Sequence, residues 1–279
     1  MGRPKVAIPK DELHKLYWEE KLSPIKIAVL YKCNPVTVRT RIREHGLATR
    51  SKSMAQMRYE KYDFSGDEIE KAYLIGFRLG DLNVYQTSER SELIVVRCNT
   101  TQQAQVKLIT DLFSSYGKVT LSRGSYSTNI NCFLNTSFSF LLPKSTEIPE
   151  WLGLNKLTSA AFTAGYIDAE GNFILNQGKA RLKIDSYDKE VLHWISNWLN
   201  KQGINVKIRR IAKLGDIQKG SMLFNKDLWR LNINDAPSLL RFISIVKPFI
   251  KHETRLKHIM ICEDNIKQRT LKRTIYNAR

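Results

Sequence analysis

A chain of 279 residues, 42% of them hydrophobic, can build two or three small domains with real cores. A net charge of +18 costs self-repulsion in the folded state and points to a polyanionic partner, nucleic acid above all. No run approaches the roughly 18 apolar residues of a membrane span, and Met1-Gly2-Arg3-Pro4 does not open a signal peptide. The scattered Cys33, Cys98, Cys132 and Cys262 form no disulfide framework or zinc motif, and the histidines show no ligand spacing. The composition therefore reads as an intracellular protein of cytoplasm, nucleoid or organelle, neither secreted nor membrane-bound.

The first fifty residues predict three short helices. Asp11 is expected to cap a helix through about Glu20, with Leu13, Leu16 and Tyr17 on one face. Ser23-Pro24 has the form of an N-cap followed by proline at the first helical position, with Ile25, Ala28 and Val29 expected inward. Cys33-Asn34-Pro35 is a turn, Pro35 opens a third helix through Glu44, and Gly46 stops it. Val38 and Ile42 are available for a core, while Arg39, Arg41 and Arg43 are free to face outward. Residues 1–50 thus read as a helix-turn-helix domain and 51–66 as a polar linker.

The remainder repeats itself. Tyr73-Leu-Ile-Gly-Phe-Arg-Leu-Gly-Asp81 corresponds to Phe162-Thr-Ala-Gly-Tyr-Ile-Asp-Ala-Glu170. Alternating strands follow each segment, then an amphipathic helix (Gln105–Tyr116; Glu190–Gln202) ending at Gly117 or Gly203. Two more strands and a helix (Ser137–Leu142; Ala236–Val246) complete each copy. The expected boundaries are 67–150 and 151–265 for the two halves, with 266–279 as a basic tail. The predicted class is α+β: two pseudo-symmetric αββαββα halves packed through their motif helices, beside a small all-α domain.

These paired segments resemble the LAGLIDADG motif of single-chain homing endonucleases. The second, Thr163-Ala-Gly-Tyr-Ile-Asp-Ala-Glu-Gly171, is the closer match; the first has Leu79 where the second has Asp168, and Leu82 where the second has Gly171. Gly76, Gly80, Ala164, Gly165 and Ala169 are small, as close helix packing requires. Asp81 and Glu170 then fall at adjacent helix C-termini, where their mutual repulsion and the helix dipoles favour a bound cation. Magnesium suits such a site because it takes oxygen ligands and binds substrate phosphates through one or two carboxylates. The resemblance implies a metal-dependent endodeoxyribonuclease using Mg2+ (or Mn2+). It would make a double-strand break with short 3′ overhangs, one acid per strand, with the Gly80 and Ala169 carbonyls also on the metal. It further implies catalytic lysines, for which Lys144 and Lys251 occupy comparable places, and polar water-positioning groups near Thr100 and Ser186.

The strand pattern puts basic and amide side chains on one sheet face, and period two assigns them. Arg97 and Asn99 belong to it in the first half; Arg181, Lys183, Lys207, Arg209, Arg230 and Asn232 belong to it in the second. These residue types match guanine, phosphate and adenine. The Gly2-Arg3-Pro4-Lys5 arm before three helices resembles the DNA-binding domain of Hin-like serine recombinases. That resemblance implies minor-groove contacts by Arg3 and Lys5, with Arg39, Arg41 and Arg43 at the major groove or its phosphates. The expected partner is double-stranded DNA, bound by a monomer. An RNA maturase acting on intron RNA, or a non-cleaving transcriptional regulator, is the alternative.

Overall fold

The computed structural model describes residues 6–50, 59–144, 147–217 and 222–277, and separates into two compact units, Met1–Glu60 and Lys61–Arg279. In the first, α1 (Lys10–His14) runs into a π-helical turn (Lys15–Glu19) and is followed by α2 (Pro24–Leu30) and α3 (Pro35–Glu44). Leu13, Tyr17, Ile27, Ala28, Val38 and Ile42 bury a core of their own. Ser23 Oγ accepts from the Lys26 amide and Asn34 Oδ1 from that of Val36, so both prolines sit inside capped first turns. Gly46 adopts φ +63° after α3.

Two details differ from expectation. Pro9, without a side-chain bond, precedes α1, and Asp11 lies within its first turn, where it faces the positive end of the helix dipole. In α2 the inward residues are Ile27 and Ala28, while Ile25 and Val29 are 59% and 73% exposed. A helix of about two turns carries too weak a stripe to fix its own phase. The reversal through Lys32 (φ +48°), with Cys33 N donating to Ala28 O, sets it instead.

The second unit is α+β and contains the repeat. Its first half is α4 (Glu68–Gly80), β1 (Asn83–Gln86), β2 (Ile94–Thr100), α5 (Gln103–Phe113), β3 (Lys118–Arg123), β4 (Thr128–Leu134) and a 3-10 helix (Thr136–Leu141). After a short α6 (Trp151–Leu154), the second half is α7 (Lys156–Glu170), β5 (Gly171–Asn176), β6 (Lys179–Ser186), α8 (Lys189–Lys201), β7 (Lys207–Ala212), β8 (Leu228–Ile233) and α9 (Ala236–Val246). Both sheets are antiparallel with the same strand order, β1-β2-β4-β3 and β5-β6-β8-β7. Phe64, from the stretch read as linker, packs its ring against Tyr116, Phe138 and Phe140 of the first half.

The motif helices α4 and α7 pack directly, and their glycines are the reason. A Cβ on Gly76 would lie 2.0 Å from the Phe162 carbonyl oxygen, and one on Gly165 the same distance from that of Tyr73. Only hydrogen fits at either crossing, as the small-residue pattern suggested. The final helix, α10 (Glu253–Asn277), was not anticipated. It packs on β5 and β6, burying Ile259, Cys262 and Ile266, and continues through most of the stretch read as a tail. Among the described residues, no helix is long and apolar enough to cross a membrane.

A candidate active site between the motif helices

Because α4 and α7 cross so closely, they deliver their C-terminal acids to one place. Asp81 is the C-cap residue of α4, and Glu170 is the last residue of α7. A Cβ on Gly80 would come within 2.3 Å of Ala169 Cβ and 3.6 Å of Glu170 Oε1. Gly80 and Ala169 lie in the last turns of their helices, where carbonyls lack intrahelical donors. Two carboxylates and two helix-end carbonyls thus occupy one small region.

The electrostatics show how crowded it is. Burial, then the Asp81 charge, then Asp188 push the Glu170 carboxyl up to about 7, with Lys144 and Arg255 opposing. Asp81 reaches solvent on one side yet is packed on the others, and burial raises it as well; a hydrogen bond from Gln105 Nε2 (2.7 Å) and the charges of Arg255 and Lys144 pull it back. A cavity of about 450 Å³ opens beside them, lined in part by Gly80, Lys144, Glu170, Asp185 and Asp188. Among the described residues no three His, Cys, Asp or Glu side chains form a ligand cluster.

Of the two lysines singled out, only Lys144 acts electrostatically on both acids. Lys251 lies elsewhere: its ammonium sits over the Tyr73 ring, 4.8 Å from the centroid, and its amide donates to Asp168 Oδ2 at 2.7 Å. The second cation acting on the acids is Arg255, in the first turn of α10. Burial pulls its guanidinium below the ordinary value, while Asp168, Asp81 and Glu170 oppose that shift. Sequence reasoning passed over both Arg255 and Gln105. Arg255 lies four residues after Lys251, and Gln105 is a polar residue on the buried face of amphipathic α5; that last mismatch was the available signal. Ser186 Oγ accepts from Tyr166 Oη at 2.6 Å and from the Asp188 amide, and Thr100 Oγ1 accepts from the Gln102 amide. Both hydroxyls thus have structural partners.

The second sheet gathers its basic residues on one face. Leu182, Ile184, Leu231 and Ile233 are fully buried on the opposite face. Lys183, Asn232 and Lys207 form one cross-strand row, and Asp185, Arg230 and Arg209 the next. Arg181, Lys183, Lys207, Arg209 and Asn232 line a shallow cavity of about 340 Å³. Asn232 is 7% exposed, wedged between its lysine neighbours, and Arg230 is paired with Asp185. On the first sheet Arg97 is exposed between Asn83 and Asn131, and Asn99 donates to Ser127 Oγ and Asn129 Oδ1.

In the N-terminal unit Arg39 and Arg43 are exposed. Arg41 is not free: Nε and Nη2 both donate to the Val6 carbonyl at 3.0 Å and Nη1 pairs with Glu44, while His45 Nε2 reaches the Ile8 carbonyl. Arg41 therefore anchors the segment leading into α1. Arg3 and Lys5 lie outside the described residues.

The fold and paired acids define an α+β protein built from two like halves. Residues 158–247 match the family model described as the LAGLIDADG-like domain. The second half is therefore LAGLIDADG-like, as its motif suggested, and the first shares its element and strand order. Similar solved structures include I-DmoI in complex with DNA and Mn, at 21% identity over 66% of this chain and 98% of that one, TM-score 0.45. I-WcaI bound to its DNA recognition sequence is 20% identical over 76% and 95% respectively, TM-score 0.49. Full-length DUF199/WhiA from Thermatoga maritima is 15% identical over 78% and 69%, TM-score 0.47. No curated protein sequence matches the chain.

Proposed function

We propose that this chain is a site-specific DNA endonuclease that hydrolyses one phosphodiester on each strand, with Asp81 and Glu170 as its essential acids. The observation that carries the reading is the convergence of these carboxylates at the α4–α7 crossing, close enough that the charge of Asp81 raises Glu170. Convergent, partly buried acids are costly unless a cation offsets their repulsion.

The donor set fits magnesium or manganese: two carboxylates beside two helix-end carbonyls, from Gly80 and Ala169, all hard oxygens. When bound, a divalent cation supplies charge neutralisation at the scissile phosphate. The chain's own groups do the rest. Gln105 fixes the orientation of Asp81 through its 2.7 Å hydrogen bond. Lys144 and Arg255 place positive charge where phosphate oxygens gain negative charge. Water adds to phosphorus and the bond to the 3′ oxygen breaks, leaving a 3′ hydroxyl and a 5′ phosphate. The second-sheet face, with Arg181, Lys183, Lys207, Arg209, Arg230 and Asn232, and the first-sheet residues Arg97 and Asn99 are the proposed duplex-binding surface. Arg39 and Arg43 of the N-terminal helix-turn-helix add phosphate or groove contacts.

The experiment is cleavage of a randomised duplex library by purified protein, with and without magnesium or manganese. Enriched sequences should be cut on both strands only with the metal. Asp81→Asn and Glu170→Gln should each abolish double-strand cleavage and keep most of the binding. If both variants cut at the wild-type rate, the assignment fails. If wild type binds duplex yet never cuts, the non-cleaving regulator is the correct reading.

A further inference from the structure

The second sheet carries one acid among its outward basic residues, and its position is informative. Asp185 on β6 lies directly across from Arg230 on β8, which lies across from Arg209 on β7. Arg230 Nε donates to Asp185 Oδ1 and Nη2 to Oδ2, each at 2.5 Å, so one edge of the guanidinium is gripped at two points. The arginine side chain is 22% exposed and the aspartate 39%. Lys183, Lys207 and Arg209 on the same face have no ion pair among the described residues.

An aspartate on a surface that meets phosphates weakens binding through repulsion, so affinity alone gives no reason for it. Orientation does. A guanidinium has five N–H donors in a rigid fork. Asp185 takes Nε–H and one proton of Nη2, leaving the second proton of Nη2 and one of Nη1 paired along the outer edge, while the other Nη1 proton points aside, towards Cδ. That edge matches the O6 and N7 acceptors of guanine in the major groove. The fixed rotamer removes the entropy that a free arginine would lose on binding. Arg209 opposite adds a like charge in the same row, an unfavourable arrangement unless an electron-rich group lies over it. Asp185 also lines the cavity that Glu170 and Lys144 line, so this row is next to the acid pair.

We propose that Arg230, buttressed by Asp185, reads a guanine in the base pairs flanking the cut, and that Asp185 trades affinity for that discrimination. The inference rests on the DNA-binding reading above and makes the pair a specificity element rather than a phosphate clamp.

The test is selection of bound sequences from a randomised duplex pool by the full chain in EDTA, where binding is read without cleavage. Wild type should enrich guanine at one position near the centre. Arg230→Lys, which keeps the charge but lacks the fork, should reduce that preference about tenfold or more and leave the other positions alone. Asp185→Asn should blunt the same position while binding bulk DNA more tightly, with a salt dependence steeper by about one unit. If Arg230→Lys leaves every preference intact, or Arg230→Ala weakens all sequences equally, the arginine holds phosphate and the inference is wrong. If Asp185→Asn preserves the guanine preference, the buttress is only structural and the inference is equally overturned. A wild-type protein that enriches no sequence would instead overturn the DNA-reading function itself.

Discussion

The hydroxyl of Tyr73, on the first motif helix, donates to Asp168 Oδ2, on the second, at 2.7 Å in a fully buried setting. The same oxygen accepts from the amides of Lys251 and His252, so one carboxylate joins α4, α7 and the approach to α10. Burial raises its pKa to about 6, and these three hydrogen bonds with the Arg255 charge hold it from rising further. Tyr73→Phe should lower unfolding free energy by about 1–3 kcal/mol, because a buried acceptor loses a strong donor. Urea denaturation followed by fluorescence measures this, and an unchanged midpoint would show that the bond contributes nothing net.

A second prediction concerns pH. Glu170 is raised from an ordinary 4.5 to about 7, so the folded chain holds its proton more tightly than the unfolded one. Its ionisation therefore opposes folding: the contribution is absent below about pH 4.5, grows as pH rises, and levels off above about 7. Asp168 slopes the same way at lower pH; His252, lowered by burial to about 4, slopes the opposite way as pH falls below its ordinary 6.5. Both act equally in a Glu170→Gln variant, so the difference from wild type isolates Glu170. The variant should gain on the order of 1–2 kcal/mol above pH 7, after allowing for solvent screening, and nothing at pH 4. Added magnesium at pH 8 should raise the Tm of wild type more than that of the variant.

The helix crossing gives a third. Gly76→Ala and Gly165→Ala each place a methyl 2.0 Å from a carbonyl oxygen of the opposing helix, an atom that cannot swing aside. Each should cost at least about 3 kcal/mol, the upper end of ordinary overpacking, and separate the two acids. Gly153→Ala, whose new Cβ would meet only the Trp194 ring at 3.8 Å, serves as a tolerated comparison.

A fourth separates the two candidate cations. Arg255→Met should slow cleavage at least about tenfold while duplex binding persists, and should move the acidic limb of the pH–rate profile upward, since Arg255 opposes the rise of Glu170. Lys251→Met should leave that limb in place, because its ammonium lies over Tyr73. Equal effects would place both cations in the same role.

The N-terminal unit gives a fifth. Arg39→Ala with Arg43→Ala should weaken duplex binding and lower its salt dependence by about two units. Arg41→Ala should mainly lower the thermal stability of that unit, because it frees the Val6 carbonyl that two of its N–H groups satisfy. A salt slope unchanged by the double substitution would exclude both arginines from phosphate contact.

The motif helices, order of elements and basic face were legible because each leaves a periodic trace: small residues at crossings, alternation in strands, glycine at helix ends. Asp81 and Glu170 were found from their equivalent places in the repeat. The α2 face was not, since Ile25, Ile27, Ala28 and Val29 are all apolar and a turn elsewhere decides between them. The Lys251 side chain lies over Tyr73 for a local reason. Ile250 is extended and Lys251 precedes α10, so its backbone serves Asp168 and its side chain turns to Tyr73. Arg255, inside the helix, acts on both acids through its charge. Gln105 stood out in the sequence only as a polar residue on an apolar helix face, and its partner Asp81 did not, because no sequence period encodes a partner 24 residues away.

The exchange of a hydroxyl for a carboxylate between the motif helices has a counterpart that lacks both groups: Phe162 stands where Tyr73 would, and Leu79 where Asp168 would. The two surfaces are thus lock and key, each fitted to its opposite and poorly to itself. Two copies of the first half would strand a pair of tyrosine hydroxyls against leucine; two copies of the second would leave each aspartate with its two backbone donors but set it against phenylalanine in place of a hydroxyl. These side chains therefore favour the pairing of unlike halves within one chain over the pairing of like ones.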